Sequence, residues 1–267
     1  MEQRERLKEC KRIVIKVGTS TITYPNGRLN LKRIEKLAQV LSDLRNQDKD
    51  VVLVSSGSIG VGAVRLSFSE RPTETRKKQA SAAVGQAVLM QIYQNFFYEY
   101  NQTVAQILLT KEDVASQIRR DNILNTMETL LEMGVIPIVN ANDTISTEEI
   151  EFSDNDRLSA LVATLIQADL LVLLTDIDAL YDKDPKKYAD AKRISYVTEI
   201  TPEIEQMAGE KGSAFSVGGM ETKLQAAKQC LDHKVSMAIA LGDDPGVLHR
   251  ILEGEEEGTY FCGRIEG

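Results

Sequence analysis

RIVIKVGTS, residues 12–20, decides the reading of the fold. A short β-branched apolar run closes on a lysine and breaks at Gly18, the form of a buried strand entering a turn. Downstream, Leu31, Ile34, Leu37, Leu41 and Leu44 recur at helical spacing across residues 31–45, behind Asn30 as an N-cap. This alternation runs almost from end to end. Further strands are expected at 51–54, 104–109, 135–139, 170–174 and 235–240, and further helices at 77–100, 119–133, 157–168, 221–232 and 246–253. Crossover connections of this kind imply an α/β fold, a three-layer α-β-α sandwich with a mainly parallel central sheet. The polar stretch 141–156, weakly alternating at 149–152, reads as a small hairpin excursion, and 176–219 as a larger insertion of loops and short elements.

With 267 residues and 42% hydrophobic content, the chain can fill one large core. No repeat, low-complexity tract or Pro/Gly/Ser linker divides it, so 1–262 is read as a single domain and 263–267 as a tag or linker remnant. A net charge of -8 and a pI near 5.0 remove the usual basis for gripping nucleic acid or an anionic membrane. Cys10, Cys230 and Cys262 form no CxxC pair, and His233 and His249 are the only histidines, which argues against a zinc site or a disulfide framework. The charged start has no apolar signal region and the longest apolar run is too short to span a bilayer, so a cytoplasmic location is expected.

Ligands of open α/β sheets gather at the carboxyl ends of the strands. The first strand ends in Lys16 before a glycine turn; alone, Lys16 reads more readily as a solvated strand-end charge than as a ligand group. The second runs into SSGSIGVG, residues 55–62, a small-residue loop opening a helix, which suits an anion and suits close helix packing just as well. It matches neither GxxxxGK[ST] nor GxGxxG. Strand 135–139 ends in Asn140, Asn142 and Asp143, and beyond the excursion come Ser153, Asp154, Asn155 and Asp156. Asp156 or Ser153 could be a helix cap, yet two Asn/Asp clusters also suit a substrate ammonium group. The run lacks the glycine and terminal glutamate of a calcium loop. Thr175 and Asp176 close the next strand, ahead of an acidic loop that could be merely solvated. The glycine-rich segment 212–220 then delivers Lys223 to the first turn of a helix, as a phosphate clamp would. Two lysines, several small-residue loops and no nucleophile, base or metal-ligand cluster point to transfer of an already activated group. Phosphoryl transfer fits best, because it needs positioning and charge neutralisation more than covalent chemistry. A carboxylate acceptor is already ionised near neutral pH and needs no general base.

The stretches IVIKVGTS, LVSSGSIGVG, AVGQAVLMQIY, QILLTKED, PIVNANDTIS, FSDNDRLSALVA, LLTDIDALYDKDP, VGGMETKLQAA and DDPGVLHRILEG together resemble the amino acid kinase family over nearly the whole chain. The SDND segment after PIVNAND is similar to the branch that phosphorylates the side-chain carboxylate of glutamate. The resemblance implies transfer of the ATP γ-phosphoryl group to L-glutamate, giving γ-glutamyl phosphate for proline biosynthesis. By position it implies that Lys16 and Lys223 neutralise the phosphates, that Asp156 holds both lysines in register, and that Ser56, Gly57, Asp143 and Asn155 bind glutamate. Thr175, Asp176, Val217, Gly218, Gly219, Met220, Glu221, Thr222 and Lys223 would line the nucleotide site, with Mg2+ bridging the phosphates and taking few protein ligands. Proline as feedback inhibitor, a glutamyl phosphate reductase downstream and a homo-oligomer are further implications; a nucleic-acid or membrane partner is not among them. Many members carry a C-terminal PUA domain, absent here, and Ala141 stands where an acidic residue is common in the family. The alternatives are a kinase of the same fold acting on aspartate, N-acetylglutamate, carbamate or a nucleoside monophosphate, or a noncatalytic amino-acid sensor. Retention of both lysines argues against a sensor.

Overall fold

The computed structural model describes residues 2–145, 155–185, 187–209 and 219–263. Its strands are β1 Arg12–Val17, β2 Asp50–Ser55, β3 Val104–Leu109, β4 Ile136–Ala141, β5 Leu170–Thr175, β6 Leu180–Tyr181, β7 Arg193–Ile194, β8 Tyr196–Val197, β9 Ser236–Leu241 and β10 Thr259–Phe261. Eight of them form one sheet in the order β3-β4-β2-β1-β5-β9-β10-β8. β1 to β5 and β9 pair in parallel, β10 runs antiparallel to β9, and β8 pairs in parallel with β10. β6 and β7 make a separate antiparallel pair. The expected sandwich is therefore present, with a mixed edge that the sequence did not announce. The insertion after β5 supplies β8 to that edge, and strands of two or three residues leave too few positions for a periodic signal.

Because strand side chains alternate, each strand feeds two cores. Ile13, Ile15 and Val17 of β1 face one core, together with Leu37 and Leu41 of helix Leu31–Asn46 and Leu89, Tyr93 and Phe97 of helix Thr75–Glu99. Val14 faces the other, with Leu158 and Val162 of helix Asn155–Leu165 and Leu224 and Ala227 of helix Met220–Asp232. The parity continues to the strand ends. Lys16 shares the face of Val14, whereas Ser55 and Asn140 share the face of Leu53 and Ile138 on the side of helix Thr75–Glu99.

Asn30 caps its helix as expected, its side chain accepting the Arg33 N–H at 3.1 Å. Leu31, counted from its spacing as a core position, is 50% exposed, because it lies in the first turn before the helix closes on the sheet. Helix Asn155–Leu165 begins two residues earlier than its apolar periodicity suggests, which carries Asn155 and Asp156 into its first turn. The expected hairpin residues 149–152, together with Ser153, Asp154, Val217 and Gly218, lie outside the described residues. Gly263, set aside from the sequence with the terminal remnant, is buried and donates its N–H to Ser236 Oγ at 3.2 Å, so the fold holds it. Among the described residues no helix is long and apolar enough to cross a membrane.

Of the two readings of the 55–62 loop, the structure bears out close helix packing. Gly57, at φ 99°, takes the left-handed turn that starts helix Ser58–Arg65. Gly62 is a packing residue: a Cβ there would lie 1.8 Å from the Ser81 carbonyl oxygen, and a Cβ on Gly85 would lie 1.8 Å from that of Ser58. The two helices cross in backbone contact, and neither side can yield. Gly85→Ala is expected to destabilise the protein by about 1–3 kcal/mol or more, read as a lowered urea midpoint at unchanged m-value. An unmoved midpoint would show that this crossing is looser than its geometry.

Candidate active site

Asp156 is fully enclosed, a charged residue with no exposed surface. Its Oδ1 lies 2.5 Å from Lys16 Nζ and its Oδ2 lies 3.0 Å from Lys223 Nζ, while the Thr222 hydroxyl, which donates to the Gly219 carbonyl at 2.8 Å, lies 3.4 Å from Oδ2. Both lysines are buried, at 6% and 4% exposure. Burial pushes the Asp156 carboxyl upward, but the charges of Lys16 and Lys223 outweigh it and hold the group below the usual carboxylate range. A helix cap is therefore not its role, since its carboxylate bridges the two lysines. Lys16 arrives from the end of β1 and Lys223 from the first turn of helix Met220–Asp232. That helix begins at Gly219, and among the described residues no side chain caps it and nothing beyond its chain neighbours lies within 4 Å of where a Gly219 Cβ would be. One carboxylate and two ammonium groups together carry a net positive charge beside the N-terminus of this helix, a setting for an anion. Gly18 and Ser56 contribute less than their loops promised: their N–H groups complete sheet-edge bonds to Leu174 and Val17.

Successive helical residues point about 100° apart. Asn155, one residue before Asp156, accordingly faces a different partner set at the ends of β2 and β4. Its Nδ2 donates to the Ser55 carbonyl at 2.7 Å, to Ser56 Oγ at 2.9 Å and to Asn140 Oδ1 at 3.0 Å. Asn140 Oδ1 also accepts the Ala141 N–H at 2.9 Å, and Asn140 Nδ2 donates to Gln86 Oε1 at 2.8 Å. Ser55 Oγ is 2.9 Å from the Tyr93 hydroxyl, whose ionisation burial pushes up to about 12. Asp143 joins this side through Ser58, which donates to its Oδ2 at 3.2 Å from the residue after Gly57. Burial pushes the Asp143 carboxyl up, against smaller lowering by the Ser58 bond and the Arg71 charge.

The described residues thus fall into a lysine clamp (Lys16, Asp156, Lys223, Thr222) and an amide and carboxylate pocket (Ser56, Gly57, Asn155, Asp143), joined by the 155–156 peptide. Thr175 and Asp176 sit at the end of β5, beside β1, and bond to each other, Thr175 donating to Asp176 at 3.0 Å. Gly219 and Met220 start the clamp helix, while Glu221 is exposed and bonded to Gln225. Asn140 and Ser58 lie in stretches that motif reading singled out, whereas Gln86, bonded to Asn140, was passed over. Gln86 had a signal: it is a polar side chain on the buried stripe Ala82, Leu89, Tyr93 and Phe97.

A family model described as the amino acid kinase family matches residues 11–240. The chain is 53% identical to a glutamate 5-kinase of Listeria innocua over 98% of its own length and 97% of the relative's. It is 53% identical to a glutamate 5-kinase of Clostridium perfringens, covering 98% of both chains, and 50% identical to one of Enterococcus faecalis, covering 97% of both. Among solved structures it resembles a UMP kinase from Bacillus anthracis with a TM-score of 0.64 at 19% identity, over 96% of this chain and 97% of that one; this likeness concerns the fold alone. The chain belongs to the amino acid kinase family.

Proposed function

We propose that the protein transfers the γ-phosphoryl group of ATP to the γ-carboxylate of L-glutamate, yielding γ-glutamyl phosphate and ADP, through a single kinase domain over residues 1–262. The observation that carries this reading is the lysine clamp set one peptide unit from the amide and carboxylate pocket. Near-full-length likeness to glutamate 5-kinases supports the substrate.

Glutamate's α-ammonium group would pair with Asp143 and its carboxylates with Ser56 and the loop at Gly57. Its γ-carboxylate is ionised at neutral pH and attacks without a base, so the protein's task is to align it with the phosphorus and to screen the repulsion between anions. Lys16 and Lys223 serve that screening as charge shifts onto the departing β-phosphate, while Asp156 keeps them from recoiling. Thr175, Asp176 and the segment from Val217 to Lys223 would line the nucleotide. Among the described residues no three His, Cys, Asp or Glu side chains gather as a metal site, and Asp156 is already engaged by two cations. Mg2+ therefore fits as an ion carried on the ATP phosphates, where it would neutralise their charge. An acyl phosphate is short-lived in water, so a glutamyl phosphate reductase is the expected consumer, with proline as feedback inhibitor. A homo-oligomer working in the cytoplasm, where ATP and glutamate are found, completes the proposal.

With ATP, Mg2+ and hydroxylamine, glutamate should give a γ-glutamyl hydroxamate together with ADP. Hydroxamate from aspartate or N-acetylglutamate instead would overturn the substrate assignment, and glutamate binding without ADP would point to a sensor. Lys223→Ala should lower kcat by about 100-fold or more with a modest change in glutamate KM, because its charge acts mainly in the transition state. A large KM change at intact kcat would put Lys223 in the substrate pocket.

Asp143 offers a test with a sign. Its folded carboxyl holds its proton to higher pH than the unfolded one, so stability falls as pH rises through the window above the ordinary carboxylate value, and the penalty persists at neutrality. Asp143→Asn is expected to raise Tm at pH 7, to lose that gain at acid pH where both states are protonated, and to raise glutamate KM strongly. A variant destabilised at pH 7 would contradict the burial penalty.

A further inference from the structure

Two backbone groups fix the polarity of the amide pocket. The Ser55 carbonyl can only accept, so the side-chain group of Asn155 that meets it at 2.7 Å must be Nδ2. The Ala141 N–H can only donate, so the Asn140 atom 2.9 Å away must be Oδ1, which turns Asn140 Nδ2 toward helix Thr75–Glu99. There it needs an acceptor, and Gln86 Oε1 supplies one at 2.8 Å. Gln86 and Asn140 are buried, and no water-facing alternative is at hand for either amide at these contacts.

The consequence reaches the substrate side. Asn155 Nδ2 has two hydrogens and three acceptors, one of them Ser56 Oγ. With the Nδ2 donors committed to these acceptors, Asn155 is left with Oδ1 for a ligand, and its side-chain bonds among the described residues all run through Nδ2. Ser56, already accepting from Asn155, keeps its own hydroxyl hydrogen to donate. The pocket thus shows an acceptor where an ammonium group can bind and a hydroxyl donor where a carboxylate can.

We infer that Gln86 is a positioning residue for the amino-acid substrate: through Asn140 it locks the Asn155 amide so that Asn155 presents its oxygen, and Ser56 its O–H, to glutamate. The inference rests on the glutamate reading and adds a residue some distance back from the substrate, on the helix whose Tyr93 also bonds to Ser55. Without the Gln86 acceptor, Asn140 Nδ2 is buried unpaired and its amide gains reason to rotate, releasing Asn155. The lysine clamp is held separately by Asp156, so the nucleotide side should not feel the change.

The test is steady-state kinetics with both substrates, alongside Tm, on three variants. Gln86→Leu removes the acceptor and should raise glutamate KM about tenfold while ATP KM stays essentially constant. Gln86→Glu keeps an acceptor at that position and should restore glutamate KM toward the wild-type value. Gln86→Lys, which can only donate, should not. Wild-type glutamate KM in Gln86→Leu, or equal glutamate KM in the Glu and Lys variants, overturns the inference. If Gln86→Leu does not fold, the Glu and Lys pair decides, since both keep a polar group at the site. A wild-type protein that forms no glutamyl hydroxamate overturns the functional reading and this inference together; an active wild type with unmoved variants overturns this inference alone.

Discussion

A carboxylate with no exposed surface, gripped by two buried lysines, is the constraint on which the rest of the site depends. Removing Asp156 would leave two buried lysines without a counter-charge, a costly defect in a core, whereas removing either lysine leaves the other still paired with Asp156. The group also ties together distant parts of the chain. Lys16 belongs to the first strand and Lys223 to a helix more than two hundred residues later, and Asp156 is the partner they share. Two positive charges against one negative give the cluster a net charge that suits an anion. Such a triad is no source of net stability by itself; it stores an electrostatic preference for phosphate in a place where water screens little.

In the proposed reaction, the adjacency of Asn155 and Asp156 makes that clamp one half of the site. A single helical turn aims one side chain at the lysines and the other at the ends of β2 and β4, so the donor and acceptor halves share a rigid element. Sheet parity does the remaining sorting. Lys16 falls on the face covered by helices Asn155–Leu165 and Met220–Asp232, while Ser55 and Asn140 fall on the face of helix Thr75–Glu99. A one-residue slip in either strand would invert these faces and separate the charges. The glycine crossing of Gly62 and Gly85 bears on the same geometry, since it sets how closely the helix carrying Gln86 lies against the helix that follows Gly57.

The buried polar groups divide by their electrical demands. The lysine clamp is charged and enclosed, so its members must be paired whatever occupies the site. The amide pocket is neutral apart from Asp143, whose carboxyl burial pushes up against the smaller lowering by Ser58 and Arg71, and which forms no ion pair among the described residues. That difference fits a pocket completed by a cationic group from outside, as the clamp is completed by an anion.

By itself the sequence determined the architecture and pointed to the candidate site residues. Short β-branched runs alternating with helical periodicity specify a parallel sheet, and a lysine, a glycine loop or an Asn/Asp cluster after successive strands marks the edge where ligands gather. The local cap at Asn30 was legible because it involves residues three apart. What only the tertiary structure decided is which of these groups meet. Asp156 read as well for a helix cap as for a clamp until Lys16 and Lys223 were seen on its two oxygens. Gly62 read as well for a phosphate loop as for a helix crossing until Gly85 was found beside it. Gln86 carried no motif at all, and the short strands β8 and β10 left no periodicity to read. The physical reason is the same throughout: periodicity is a local property of consecutive residues, whereas the Gln86–Asn140 bond and the Lys16–Asp156 ion pair join residues 54 and 140 apart, which no window along the chain contains.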